Sequence, residues 1–383
     1  MLVIPRYLQK ELREDLSEKM VFLGGPRQVG KTTIALQLLT PPNKTNPAYL
    51  NWDVLANRKL IREAMLPSDK KLYVLDEIHK FKRWRGLVKG FYDQYYPNKN
   101  FIVTGSARLD YYRKGGDSLQ GRYHYWRLHP LSLSEVSSGK TQEAQAALRD
   151  LLEYGGFPEP FKKSDKRFWR RWSRERIDRV INEDLRDLEN VQDLSLIELL
   201  VAELPNKVGS QLSLNSLAED LEISPRSVDR WISMLERLYF CYRIAPFGSR
   251  QIRAIKKAQK LYLWDWAAVE EHGARFENLV ASHLLKYCHY IEDSQGYRME
   301  IRYLRDTDCR EVDFVVLKDR KPQFAVECKT GERGISKHIA YFQQRTTIPC
   351  FYQVHQGTAD YGDPEKGGRV LPFSSFVKDL GLP

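Results

Sequence analysis

Residues 20–80 hold side chains whose order suits phosphate chemistry. Met20 to Gly25 (MVFLGG) is a short apolar run closed by glycine, and the following segment places Ile34, Leu36, Leu38 and Leu39 at apolar positions of a helix. That is a strand, a tight loop and a helix. Gly25, Pro26, Arg27, Gln28, Val29, Gly30, Lys31 and Thr32 fit G-x-x-x-x-G-K-[ST] in that setting. The glycines let successive N–H groups curl toward phosphate oxygens, and the helix start adds its positive dipole end. Lys31 is expected to reach the β and γ phosphates of ATP, and the Thr32 hydroxyl, with Thr33 beside it, to face Mg²⁺.

A second element agrees. Lys71 to His79 reads as a buried strand with Asp76 and Glu77 at its C-terminal end, where ligands sit in open parallel sheets. Asp76 is expected to hold Mg²⁺ and Glu77 to polarise the attacking water as general base. A third strand from Asn100 ends in Thr104 and Ser106, either of which could orient that water or contact the γ-phosphate. Arg122 precedes a fourth strand, Tyr123 to Leu128, and is the candidate arginine finger acting on a neighbouring subunit; Arg108 is its competitor.

These side chains need a sheet to align them, and the chain is long enough to supply one. Its 383 residues suggest two to three domains. With 42% hydrophobic and 29% charged residues, the composition excludes disordered and collagen-like chains. No apolar run is long enough for a membrane span or signal peptide, so a cytoplasmic chain is expected. Five scattered cysteines without C-x2-C spacing signal neither disulfides nor a zinc cage. Residues 1–150 carry 25 Lys/Arg against 15 Asp/Glu, and so hold nearly all of the net +11. Two basic stripes remain further on, Lys162 to Arg179 and Arg250 to Lys260, and such stripes can follow a phosphate backbone.

The segments GPRQVGKTT, YLNWD (49–53), LDEIHK (75–80), VTGSAR (103–108), LQGRYHYWRLHPLSLSEV (119–136) and YGGFPE (154–159) together resemble a widespread prokaryotic AAA+ ATPase family. The resemblance is most specific over 20–160. It implies an AAA+ core, ATP hydrolysis with Mg²⁺ and subunit contacts, with a hexameric ring favoured.

Beyond Tyr154-Gly-Gly-Phe-Pro158, residues 164–204 carry helical periodicity and are expected to form a lid, in which Arg176 or Arg179 would sense nucleotide. Ser213 to Leu221 and Pro225 to Leu238 read as helix, turn, helix, with Ser224 as cap and Pro225 in first position. Arg226, Ser227 and Arg230 open the second helix, where DNA contacts are usually made, and Asp229 and Glu236 weigh against them. Tyr239–Ile244 and Leu261–Trp264 read as wing strands, with Arg250, Arg253, Lys256 and Lys257 on the wing.

In the last third, a helix carrying Glu277 is followed by three strands bearing Asp313 and Glu327-Cys-Lys329, fourteen residues apart. This order resembles the restriction-endonuclease-like, PD-(D/E)xK nuclease fold. Alternation points Glu327 and Lys329 to one face. Asp313 and Glu327 would chelate a second Mg²⁺ with support from Glu277, and Lys329 would orient water; His283, Gln343 and Gln344 are further candidates.

The expected architecture is α/β: an AAA+ core (1–150), helical lid (151–205), winged helix (206–268) and nuclease-like α/β domain (269–383). The expected activity is an ATPase that binds DNA and moves or remodels it, for example branched DNA. Alternatives are a nucleotide-gated nuclease effector in defence or signalling, and an ATP-switched protein scaffold.

Overall fold

The computed structural model describes residues 4–67, 69–105, 119–137, 141–185, 193–248 and 258–383. Two compact units divide the chain, Met1–Pro130 and Leu131–Pro383.

In the first unit, strands β1 (Met20–Gly24), β2 (Tyr49–Asn51), β3 (Leu72–Asp76), β4 (Asn100–Thr104) and β5 (Tyr123–Arg127) form a sheet in the order β2-β3-β4-β1-β5. Every pairing is parallel. Parallel strands are covered on both faces, which is why Val21-Phe-Leu, Tyr73-Val-Leu and Phe101-Ile-Val read as unbroken apolar runs and are buried throughout. Register aligns Asn51 with Asp76, Asp76 with Thr104 and Thr104 with Leu23. The C-terminal ends of four strands therefore share one edge. Buried Arg6 donates to Val29 O at 2.8 Å and to His129 O, tying the phosphate loop to the segment after β5.

The second unit is built on an eight-stranded sheet. Its strands are β6 (Cys241–Pro246), β7 (Lys260–Leu263), β8 (Met299–Arg305), β9 (Glu311–Lys318), β10 (Lys321–Cys328), β11 (Phe351–His355), β12 (Tyr361–Asp363) and β13 (Gly368–Pro372). They run β12-β13-β11-β10-β9-β8-β6-β7. The helix His272–Gln295 packs on β7 to β10 and stops at Gly296, whose φ of 75° suits a residue without a Cβ. Buried Asn278 on this helix exchanges two hydrogen bonds with the Leu263 backbone, at 2.9 and 2.8 Å.

One expected boundary differs from that observed. The limit at 150 falls inside the helix Thr141–Tyr154, which packs within the second unit, and the first unit ends at Pro130. The cause is a buried polar knot. Lys286 Nζ donates to Ser132 Oγ at 2.7 Å and to Glu135 at 2.5 Å, while Ser132 and Glu135 close a capping box. Across the expected limit between 268 and 269, β6 pairs in parallel with β8 through Ala245↔Arg302 and Pro246↔Tyr303. The hairpin expected as a separate wing is thus the end of the C-terminal sheet.

His283 lies in the same knot, not with the acidic residues where it was expected. Its Nε2 accepts from Leu133 N–H at 3.0 Å and its Nδ1 lies 2.8 Å from Leu279 O, which fixes a neutral ring protonated on Nδ1. Burial lowers its pKa to about 4. The unfolded chain takes up this proton near pH 6.5 and the fold does not, so stability is expected to fall as pH drops from 6.5 to 4, by roughly 3 kcal/mol in all. Urea unfolding of wild type and His283→Gln at pH 7 and pH 5 checks this. An unchanged pH dependence in the variant would rule out the neutral ring as its source.

Candidate functional site

At the aligned edge of the first unit, β1 runs into the phosphate loop. Gly25 has φ of 135°, and a Cβ there would lie 2.4 Å from Leu128 O, so only glycine lets the loop pass. Gly30, at φ 103°, turns the chain into the helix Lys31–Leu36. Lys31 is buried and its Nζ curls back to Gly25 O at 2.8 Å and Pro26 O at 2.7 Å, which sets its ammonium inside the loop.

Buried Asp76 gathers three hydroxyl groups. Thr32 Oγ1 donates to Oδ2 at 2.9 Å, Tyr49 Oη to Oδ2 at 2.7 Å, and Thr104 Oγ1 to Oδ1. Tyr49 comes from β2 and was not expected. Burial, then the Asp76 charge, raises its pKa well above the usual phenol range and keeps it a donor. Asn51 Nδ2 donates to Tyr49 Oη at 3.1 Å and orients it. The neighbouring Glu77 takes a left-handed backbone (φ 57°), with its N–H on Thr104 O at 3.1 Å. Burial pushes its carboxyl pKa up, opposed by Lys31. His79 Nε2 lies 3.5 Å and Lys80 Nζ 3.8 Å from Glu77 Oε2, while Lys80 also pairs with Asp53 at 2.6 Å. A hollow of loop amides, an ammonium, and a hydroxyl-carboxylate pair fits a nucleoside triphosphate with Mg²⁺.

In the second unit the expected acids do converge. Glu277 from the long helix and Glu311 and Asp313 from β9 surround Lys260, which is 1% exposed, and Glu327 from β10 feels the charges of Asp313 and Glu277. Lys260 Nζ bonds Glu311 Oε1, lies 3.2 Å from Glu277 Oε1 and 3.9 Å from Asp313 Oδ1. Tyr262 Oη donates to Glu277 at 2.7 Å, Cys328 N–H to Asp313 at 2.7 Å, and Lys329 Nζ to Glu327 Oε1 at 2.5 Å. Burial, then mutual repulsion with Asp313, raises Glu277 and Glu327 each to about 8. Burial opposes the Lys260 charge, but Glu277, Asp313 and Glu311 outweigh it and raise its pKa. Two expectations change here. Lys260, read as part of a basic surface stripe, is buried among carboxylates. Among the described residues no group of three or more His, Cys, Asp or Glu is placed to hold a metal ion. Gln343 and Gln344 are elsewhere, the former bonded to Glu365 O and Gly367 N–H, the latter to Arg345.

The helices Leu214–Asp220 and Pro225–Arg237 form the helix-turn-helix, with Ser224 Oγ accepting from Ser227 N–H at 3.1 Å. Arg226 and Arg230 are exposed at its second helix, and Ser227 is half-buried. Asp229 and Glu236, which spoke against DNA, are both engaged by Arg243 of β6: its Nη2 lies 2.7 Å from Glu236 Oε2, and its Nη1 bonds Asp229.

Residues 17–137 match the AAA domain family. The AAA domain is followed by matches to two families described as domains of unknown function, DUF8612 over 145–270 and DUF4143 over 272–376. An uncharacterized protein of Haemophilus influenzae is 24% identical over 82% of this chain and 83% of its own. One of Methanocaldococcus jannaschii is 21% identical over 86% and 79%. Among solved structures, the Thermotoga maritima RuvB Holliday junction branch migration motor aligns over 62% of this chain and 88% of its own, at 18% identity and TM-score 0.31. Aeropyrum pernix ORC2 aligns over 71% and 90%, at 13% and TM-score 0.39. The first unit is an α/β fold whose parallel sheet resembles an AAA P-loop core.

In the first unit Arg122 stands just before β5, five strand residues or roughly 16 Å from the loop edge. Its Nε donates to Asp93 at 2.8 Å. Ser106 and Arg108 lie outside the described residues, as do Arg250, Arg253, Lys256 and Lys257. The sensor expectation fails for Arg176. It is wholly buried in the second unit, 4.5 Å over the Phe157 ring, and donates to Tyr239 O at 3.1 Å. Arg179 is exposed on the same helix. Among the described residues no helix is long and apolar enough to cross a membrane.

Proposed function

We propose that this chain is an AAA+ ATPase that binds DNA and couples ATP hydrolysis to its translocation or remodelling. The observation that carries the ATPase reading is the meeting of Lys31, Thr32, Asp76 and Glu77 at one sheet edge. Residues 25–33 hold the triphosphate, with Lys31 on the β and γ phosphates, and Thr32 and Asp76 hold Mg²⁺. The ion offsets phosphate charge. Tyr49 and Thr104 fix the Asp76 carboxylate, so its oxygens cannot rotate away. Glu77 takes the proton of the attacking water, which Thr104 or Ser106 orients. Arg122, distant from its own loop, acts on a neighbour's ATP in a homo-oligomeric ring.

DNA enters through charge and shape. Arg226, Ser227 and Arg230 face it from the second helix of the helix-turn-helix, and Arg243 removes the nearby acids from competition. Arg167, Arg170, Arg171 and Arg174 are exposed at i, i+3, i+4 and i+7 of the helix Lys166–Arg179, a single stripe for phosphates. Arg250, Arg253, Lys256 and Lys257 supply further positive charge for phosphates. The C-terminal sheet grips. One observation favours a second reading, a gated nuclease: Glu277, Asp313, Glu327 and Lys329 come from separate elements to one cluster.

Steady-state ATP hydrolysis without DNA and with single-stranded, duplex or branched DNA, with strand integrity followed in the same tubes, tests both. Stimulation with intact strands is expected. Unstimulated turnover would discard remodelling, and Mg²⁺-dependent cleavage would move the assignment to the nuclease.

A further inference from the structure

A loop that holds a polyanion has to turn its N–H groups inward and keep its carbonyl oxygens off the phosphates. Several carbonyls of the phosphate loop are held in this way: Gly25 O and Pro26 O accept from Lys31, and Gly30 O accepts from Ile34 N–H at 3.0 Å. Val29 O is taken from outside the loop, by Arg6 Nη1 at 2.8 Å. We propose that Arg6 is a positioning residue for triphosphate binding, which holds the Val29 carbonyl outward and so keeps the Gly30 N–H turned toward the phosphates. This role rests on residues 25–33 being the triphosphate loop, and adds the side chain that sets the loop's polarity.

Peptide planarity carries the step. The Val29 C=O and the Gly30 N–H belong to one trans peptide unit and point in opposite directions, so whatever anchors the first aims the second. This unit lies between Gln28 and Gly30, at φ of 63° and 103°, and a residue other than glycine keeps such a left-handed backbone only where its surroundings fix it. Arg6 supplies that fixation. Its guanidinium is a planar fork whose second arm donates to His129 O, and both Arg6 and Val29 are buried, so the anchor is held at two points and shielded from water. The second anchor is braced in turn: His129 N–H lies 3.3 Å from Tyr7 Oη, Tyr7 Oη donates to Arg127 O at 2.6 Å, and Leu128 N–H donates to Gly24 O at 2.9 Å. Residues 6–7 and 127–129 form the backing against which the loop is set.

The test uses the full nucleotide-free chain. Titration calorimetry with MgATP and with inorganic tripolyphosphate compares wild type, Arg6→Met and Arg6→Lys, after thermal melts identify the folded variants. Arg6→Met is expected to weaken both ligands alike, by ~10-fold or more, the loss of one hydrogen bond to a charged oxygen. Lysine keeps the charge without the fork, is expected to lose less, and serves if methionine prevents folding. The Gly30 amide is followed in parallel by nuclear magnetic resonance, since carbonyl-labelled valine with nitrogen-labelled glycine marks only Val29–Gly30 and Val208–Gly209. Tripolyphosphate is expected to shift one of these two signals in wild type, and to shift it less in the variants. Weakened ATP with unchanged tripolyphosphate affinity, or unchanged affinity for both, would overturn the role of Arg6. So would a wild type that binds tripolyphosphate while both signals stay still. A wild type that binds neither ligand would remove the triphosphate loop itself, and the role of Arg6 with it.

Discussion

Glu77→Gln is expected to lower ATP turnover by about two to four orders of magnitude while nucleotide stays bound, the range a general base contributes. Glutamine has the same shape and leaves the backbone hydrogen bond from Glu77 N–H to Thr104 O in place. What disappears is the capacity to accept a proton. Burial holds the Glu77 carboxyl above its ordinary pKa, so wild-type turnover should fall on the acid side as pH passes down through that value, and the residual rate of the variant should not. Turnover and equilibrium binding of a fluorescent ATP analogue, measured on both proteins across pH, separate the two effects. A variant with near wild-type turnover would remove Glu77 from the chemistry.

Arg176→Met is expected to cost about 3–5 kcal/mol of stability, the loss that follows when one of two buried opposite charges is left uncompensated. Arg176 fills a pocket against Phe157 and Trp172, and Asp265 is the acid whose charge opposes its desolvation. Asp265 is itself buried, and its pKa stands at about 6 because burial outweighs the help of Arg176. Methionine would leave that carboxylate without a counter-charge. The double variant Arg176→Met/Asp265→Asn is expected to recover much of the loss, since replacing both charges is far less costly than orphaning one. Guanidinium unfolding of the two single variants and the double decides it. A loss below about 1 kcal/mol for Arg176→Met would show that the two charges do not depend on each other.

What was legible in the sequence was local. The Gly25–Thr32 spacing and the acidic pair closing an apolar strand are contiguous patterns, and the parallel register then had only to bring Asp76 level with Thr104. Ser224 and Pro225 likewise mark the start of a helix within four residues. Tyr49 and Lys260 were hidden because their partners lie 27 and 51 residues away, for Asp76 and Glu311, and are fixed by strand pairing. A faint signal existed in both places: Tyr49 and Asn51 alternate on β2, and Lys260 and Tyr262 alternate on β7 toward one Glu277. The charge run 250–260 misled for Lys260, because a count of basic residues does not distinguish a side chain facing solvent from one turned inward. The helix carrying Glu277 runs on to Gln295, since Gly296 supplies the terminator.

The pairing of β6 with β8 has a mechanical consequence. A helix-turn-helix on a free wing swivels on its linker, and a load on it is dissipated there. Here the strand after the second helix is hydrogen-bonded into the C-terminal sheet, and Arg243 on that strand is bolted to the helix through Asp229 and Glu236. Torque applied at Arg226 and Arg230 is delivered through β6 to the strands that carry Glu311, Asp313 and Glu327. Helix and sheet work as one stiff lever.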